Sequence, residues 1–193
     1  MGRIENNLTE KFNKDSYVII ENFIDLDYIK WAKRYFSHKF NIIEDYKKAK
    51  IETTTVKQGK YYYGSTLSEV LLFSILPKIE DVVEKSLYPT YSFARLYEEG
   101  QNLIKHTDRP ACEYSISLPL NYTGWPLIVE DKEIYLSPGG AIVYKGRELK
   151  HWRNPLPEGY QLQLHLHYVD KNGEFKDWKY DKRSKYLQHP FLQ

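Results

Sequence analysis

Cysteine is nearly missing from this chain of 193 residues: Cys112 is the single example. A lone thiol excludes an internal disulfide framework and any Cys-x-x-Cys zinc site. Long apolar runs are missing too, and none approaches the ~18 residues that a membrane-spanning helix needs. The opening MGRIENN lacks the apolar stretch of a signal peptide, and Asn6 stands where a myristoylation signal carries Ser or Thr. Nor is there an excess of one charge. Lys and Arg number 28 against 26 Asp and Glu, a net +2, which argues against nucleic acid as the partner. No repeat, low-complexity block or Gly/Ser/Pro-rich linker interrupts the sequence. The expectation is a soluble, cytoplasmic chain with one domain over 1–193 and no membrane partner. What is plentiful is aromatic: 16% of residues, 18 of them Tyr, enough for a core and for an aromatic-lined pocket.

The front of the chain reads as mainly helical. SYVIIENFI (16–24) is apolar and β-branched and predicts a short strand. Asp25 can then cap a helix running to about Phe40, with Ile29, Ala32, Phe36 and Phe40 on one buried face. A polar threonine stretch (Thr53, Thr54, Thr55) and a tyrosine cluster (Tyr61, Tyr62, Tyr63) follow. The tyrosines could form a substrate-facing lid or pack half-buried on a sheet. Thr66-x-x-Glu69 has the capping-box pattern and precedes LSEVLLFSIL, a helix that Pro77 ends or kinks. From Pro89 the period changes to two. YSFARLY, EYSISLPL, PLIVE, KEIYL, GAIVYKG and YQLQLHLHYV predict short antiparallel strands. Helices followed by strands imply an α+β protein with a sandwich or barrel that carries helices on one face. The charged, aromatic segment after Asp170 reads as a surface helix or tail.

Among six histidines, one opens the triplet His106-Thr107-Asp108. Alone the triplet is weak, and a loop His beside a capping Asp explains it. It follows a strand end, NLIK, and opens a Pro-containing turn, so both side chains can converge on one point. His151 comes 45 residues after His106, beyond the strand GAIVYKG and a short turn. Two histidines and a carboxylate that leave coordination positions open are the facial triad of non-haem Fe(II) oxygenases. On the last strand Gln161, Gln163, His165 and His167 point one way and Leu162, Leu164, Leu166 and Tyr168 the other. The polar row faces either water or a polar pocket. Pro138-Gly139-Gly140 reads as a tight turn, and Cys112 as a small buried residue.

YSFARLYEEGQNLIKHTDRPACEYSISLPL, LSPGGAIVYKGRELKHW and QLQLHLHYVD together resemble the core of the Fe(II)/2-oxoglutarate-dependent dioxygenases. The prolyl-4-hydroxylase-like branch, with its compact bacterial and phage-type members, is the most similar. The match covers about 89–170, and DSYVIIENFID resembles that branch's N-terminal layout. The resemblance implies a double-stranded β-helix (jelly-roll, cupin-like) over 89–170. Helical support over 1–88 would pack on one sheet, and a tail would follow over 171–193. It implies Fe(II) on His106, Asp108 and His151, with 2-oxoglutarate and O2 as cosubstrates and ascorbate as an accessory reductant. The implied reaction hydroxylates a C–H bond of a peptidyl, protein or small-molecule substrate and releases succinate and CO2. Asp108 argues against the halogenating relatives, which replace this carboxylate.

By the same resemblance the Tyr97 hydroxyl would hydrogen-bond the cosubstrate; a buried strand tyrosine is the plain alternative. One departure stands out. The family carries Arg or Lys about ten residues after the distal histidine to hold the far carboxylate of 2-oxoglutarate, and here that residue is Gln161. Arg95 is the first substitute, because it shares the strand face of Tyr97. His165, Arg109 and Arg153 follow, with Gln161 and Gln163 as hydrogen-bonding neighbours. Arg153 could instead cover the metal or be a surface cation. Gln161 also supports a second reading, a non-catalytic metal- or sugar-binding module of the same fold. A nucleic-acid demethylase ranks below both, on the near-neutral charge.

Overall fold

The computed structural model describes residues 2–42 and 60–183. Thr53, Thr54, Thr55 and the tail beyond Arg183 lie outside the described residues. Helix α1 (Gly2–Asp15) leads into strand β1 (Tyr17–Ile20) and helix α2 (Leu26–Phe40). Asp25 caps α2 by accepting from the Asp27 N–H at 2.7 Å. Asn41 ends it in the left-handed conformation, its N–H returning to the His38 and Ser37 carbonyls. Ile29, Ala32, Phe36 and Phe40 are buried, as their spacing requires. Helix α1 was not anticipated, since its sequence is mostly polar, although Leu8 and Phe12 recur four apart; Phe12 is buried and Leu8 packs beside the core.

Strand β2 (Lys60–Tyr63) precedes helices α3 (Thr66–Ser74) and α4 (Leu76–Val83), with Pro77 in the first turn of α4. The capping box is displaced by one residue. Ser65, not Thr66, caps α3, through the Ser68 N–H at 3.3 Å. Glu69 is buried instead, accepting from the Ser92 N–H (2.9 Å), the Ser92 hydroxyl (2.7 Å) and Arg183 Nη2 (3.0 Å). The local cap lost because a carboxylate inside a core needs charged and hydrogen-bonded partners, and Ser92 and Arg183 supply them.

Eight strands follow: β3 (Leu87–Glu98), β4 (Leu103–His106), β5 (Tyr114–Pro119), β6 (Leu127–Val129), β7 (Lys132–Ile134), β8 (Ala141–Lys145), β9 (His151–Arg153) and β10 (Tyr160–Asp170). They form two antiparallel sheets, β1-β8-β5-β10-β3-β2 and β4-β9-β6-β7. The protein is therefore α+β. Leu162, Leu164, Leu166 and Tyr168 of β10 join Phe36, Leu72 and Ile79 of the helices in one apolar core. The opposite face of β10 carries the polar row and looks toward the smaller sheet, where a cavity of about 130 Å³ draws its walls from β3, β4, β6, β8, β9 and β10. No helix among the described residues is long and apolar enough to cross a membrane. The segment after β10 forms short 3-10 turns over Lys176–Lys182 and is not a regular helix, with Tyr180 and Asp181 at positive φ.

Candidate metal centre

His106 ends β4 and His151 begins β9, and the two are register partners across the smaller sheet. Their rings are therefore neighbours, with centroids 4.4 Å apart. Asp108 lies in the turn after β4, held there by its own backbone: its N–H donates to the Gly146 carbonyl at 2.8 Å and its carbonyl accepts from Arg147 Nη1 at 3.0 Å. Nε2 of each histidine is 3.5 Å from Asp108 Oδ1, and one ligand atom from each of the three residues lies within 4.8 Å of the others.

The histidine tautomers follow from the partners. His106 Nδ1 is 2.7 Å from the Ile104 carbonyl and His151 Nδ1 is 3.0 Å from that of Leu149. A carbonyl only accepts, so each Nδ1 carries the hydrogen and each Nε2 turns its lone pair inward. The second carboxylate oxygen of Asp108 accepts from the Ser115 hydroxyl at 2.9 Å. With that proton used, His167 Nδ1, 2.9 Å from Ser115 Oγ, acts as donor. Burial raises the Asp108 carboxyl, but donation from Nε2 of His106 and His151, which in the metal-free site requires those rings to be protonated, outweighs it and holds the carboxyl far below the ordinary carboxylate range. The hydrogen bond with Asp108 raises His106. A permanently ionised carboxylate with two imidazole lone pairs is a fitting donor set for a divalent first-row metal.

Asp108, Cys112 and His167 form a second convergent group. Burial, with Asp108 nearby, pushes the Cys112 thiol up to about 12. A thiol that stays protonated is a poor ligand. Burial likewise lowers His167 to about 4. Its folded value lies below the ordinary 6.5, so the unfolded chain binds the extra proton between those two values, and stability falls as pH drops from about 6.5 to 4. Metal-free protein should lose up to roughly 3 kcal/mol through this group. Urea titrations across that window check it: His167→Asn should flatten the slope, and an unchanged slope contradicts the assignment.

The structure brings three of the other sequence-derived residues to the same cavity. Tyr97 is buried, Arg95 is half-buried with its guanidinium 4.2 Å over the Tyr97 ring, and His165 completes the wall. Burial keeps Tyr97 a neutral phenol and His165 a neutral imidazole. Gln161 and Gln163 line a separate small void of about 10 Å³, shared with Arg153 and Trp125. Arg153 is buried and so is not a surface cation. Arg109 instead forms two hydrogen bonds to Asp181, at 2.7 and 2.8 Å. Tyr61 and Tyr63 stack on Phe93 and Tyr91 at 5.2 and 5.0 Å, so the tyrosine cluster packs on the sheet at the cavity's edge. Ser115 and Asp181 escaped the sequence analysis. The alternation of Ser115 and Ser117 with Ile116 and Leu118 was the available signal, since it repeats the polar row of β10.

No protein-family model matches the sequence, and no curated protein is similar to it in sequence. Solved structures are similar in fold. The 2-oxoglutarate-dependent epimerase SnoN of nogalamycin biosynthesis superposes with TM-score 0.67 at 12% identity, over 86% of this chain and 83% of its own. A Pseudomonas putida prolyl-4-hydroxylase gives 0.65 at 13%, over 86% and 98%. HygX of Streptomyces hygroscopicus gives 0.66 at 10%, over 89% and 88%. SnoN has been captured with Fe3+ and 2-oxoglutarate, and HygX with nickel and 2-oxoglutarate. With a His-Asp-His cluster of metal-binding spacing at its centre, the chain has the fold of the Fe(II)/2-oxoglutarate oxygenases, prolyl-4-hydroxylases among them.

Proposed function

We propose that this chain is an Fe(II)- and 2-oxoglutarate-dependent oxygenase that hydroxylates a C–H bond of a peptidyl or small-molecule substrate. The whole chain serves as one domain, and its two sheets are the halves of a double-stranded β-helix. His106, Asp108 and His151 hold the metal. The observation that carries this reading is the convergence of both inward Nε2 atoms on one carboxylate oxygen, each 3.5 Å away, at the wall of a cavity. Bound there, iron and 2-oxoglutarate supply the oxidation of a C–H bond, with succinate and CO2 as the other products.

The residues of the chain do the rest. The carbonyls of Ile104 and Leu149 fix the imidazole planes. Ser115 holds one carboxylate oxygen of Asp108, which presents the other to the metal and leaves coordination positions open for cosubstrate and O2. Tyr97 and Tyr144, buried and neutral, can donate hydrogen bonds without bringing a proton equilibrium into the site. Tyr61 and Tyr63 stand exposed over Phe93 and Tyr91 at the rim, where a substrate enters.

Aerobic incubation with Fe(II) and 2-oxoglutarate tests the reading. Succinate should form slowly even without primary substrate, and it should require both iron and oxygen. If no succinate forms above the rate of a His151→Ala control across a library of peptides and metabolites, the non-catalytic metal-binding reading replaces it.

A further inference from the structure

Arg153 is the one Lys or Arg among the described residues whose side chain is buried, at 4% exposure. Its Nη1 donates to the Trp125 carbonyl at 2.6 Å and its guanidinium lies 4.6 Å over the Trp125 ring. No carboxylate lies within ion-pair distance of it among the described residues. A guanidinium has five N–H donors, and burying it without a counter-charge is strongly unfavourable. A guanidinium stays charged at neutral pH. A buried cation of this kind points to an anionic partner that arrives from outside the chain.

Its place on the strand says which anion. Arg153 is two residues after His151 on β9, so both side chains project from one strand face, about 6.6 Å apart along it. The neighbouring donors are already engaged. The Gln161 amide donates to the Asn121 and Leu162 carbonyls and to Gln163 Oε1, while its oxygen accepts from the Thr123 hydroxyl. Gln163 donates to Ser117 Oγ. His165 is neutral, and Arg109 is paired with Asp181. Arg95 lies at the cavity wall with its guanidinium against the Tyr97 ring and remains half-buried.

We propose that Arg153 anchors the distal carboxylate of a dicarboxylic 2-oxo acid whose other end chelates the metal. It takes over from the sheet that carries two metal ligands the charge that position 161 does not supply. The proposal rests on the oxygenase reading above. It makes Arg153 the residue that selects a dicarboxylic over a monocarboxylic 2-oxo acid, and it demotes Arg95, the first choice by sequence.

Calorimetry on the Ni(II)-loaded full chain, with 2-oxoglutarate and with 2-oxobutyrate, tests this without turnover. 2-Oxobutyrate keeps the chelating end and lacks the distal carboxylate. The unaltered protein should prefer 2-oxoglutarate by about tenfold to a hundredfold, the range expected for a charged hydrogen bond. R153Q should bring the two acids to parity with Ni(II) and 2-oxobutyrate affinities unchanged, and R153K should recover part of the preference. A general structural defect would weaken both acids alike. A preference that survives in R153Q, or that R95Q abolishes instead, overturns the proposal. Equal affinities in the unaltered protein overturn it without recourse to any variant. Binding of neither acid to the metal-loaded chain removes the oxygenase reading itself.

Discussion

Asp108→Ala should abolish stoichiometric metal binding while the chain stays folded. Removing a group that merely orients a ligand typically costs about 10–100-fold in metal affinity. Asp108 supplies the charge in the proposed donor set, so its loss should exceed that range. Folding should survive for a specific reason: the backbone N–H and carbonyl of Asp108, which tie the turn to Gly146 and Arg147, are untouched. The side chain's removal orphans no charge, because both imidazoles can remain neutral. Asp108→Asn keeps the shape and the hydrogen bond from Ser115 but loses the charge, and should fall between. Metal analysis after gel filtration, beside far-UV circular dichroism, reads both quantities. Full metal retention in Asp108→Ala contradicts the triad.

Gly146→Ala should be nearly as damaging, although the residue is no ligand. A Cβ there would meet Asp108 Oδ2, lie 2.5 Å from the Cys112 carbonyl oxygen and lie 2.7 Å from Ser115 Oγ. The turn after β8 cannot move aside readily. Gly146 donates to the Glu113 carbonyl at 3.0 Å and accepts from the Asp108 N–H at 2.8 Å. The added methyl therefore has to displace Asp108 and Ser115, the same pair that aims the carboxylate. Overpacking of this kind costs about 1–3 kcal/mol, and the misplaced carboxylate should lower metal affinity at least tenfold beyond that. Thermal melts and metal titration separate the two effects. Unchanged metal affinity with a lowered Tm would show that the turn, and not the carboxylate, absorbs the strain.

The convergence of His106, Asp108 and His151 was legible because their residue types are specific and they sit at or just beyond strand ends. His106, Asp108 and His151 need only the strand pattern to be brought together, and β4 and β9 pair them directly. The polar row of β10 was also legible, since a period of two assigns faces without knowledge of the neighbours. Tertiary context decided the rest. Glu69 looked like a capping residue, but Ser92 and Arg183 claim its carboxylate from 23 and 114 residues away. Arg153 had three readings by sequence, and no local pattern shows that Trp125 would cover it. Gly146 stood only as the last residue of the expected strand GAIVYKG; its tight surroundings come from the Asp108 and Cys112 turns. Helix α1 was not anticipated although Ile4, Leu8 and Phe12 recur four apart, because those three are the only large apolar residues on an otherwise polar segment.

The central claim is that the triad and its cavity bind iron and 2-oxoglutarate together. Anaerobic titration of the purified chain with Fe(II) and then 2-oxoglutarate tests this most directly, by the weak visible charge-transfer absorption of the ternary complex. The account predicts a band that saturates at one iron and one 2-oxoglutarate per chain and is absent from His151→Ala. No band at saturating Fe(II) and 2-oxoglutarate, or an equal band in His151→Ala, would contradict it.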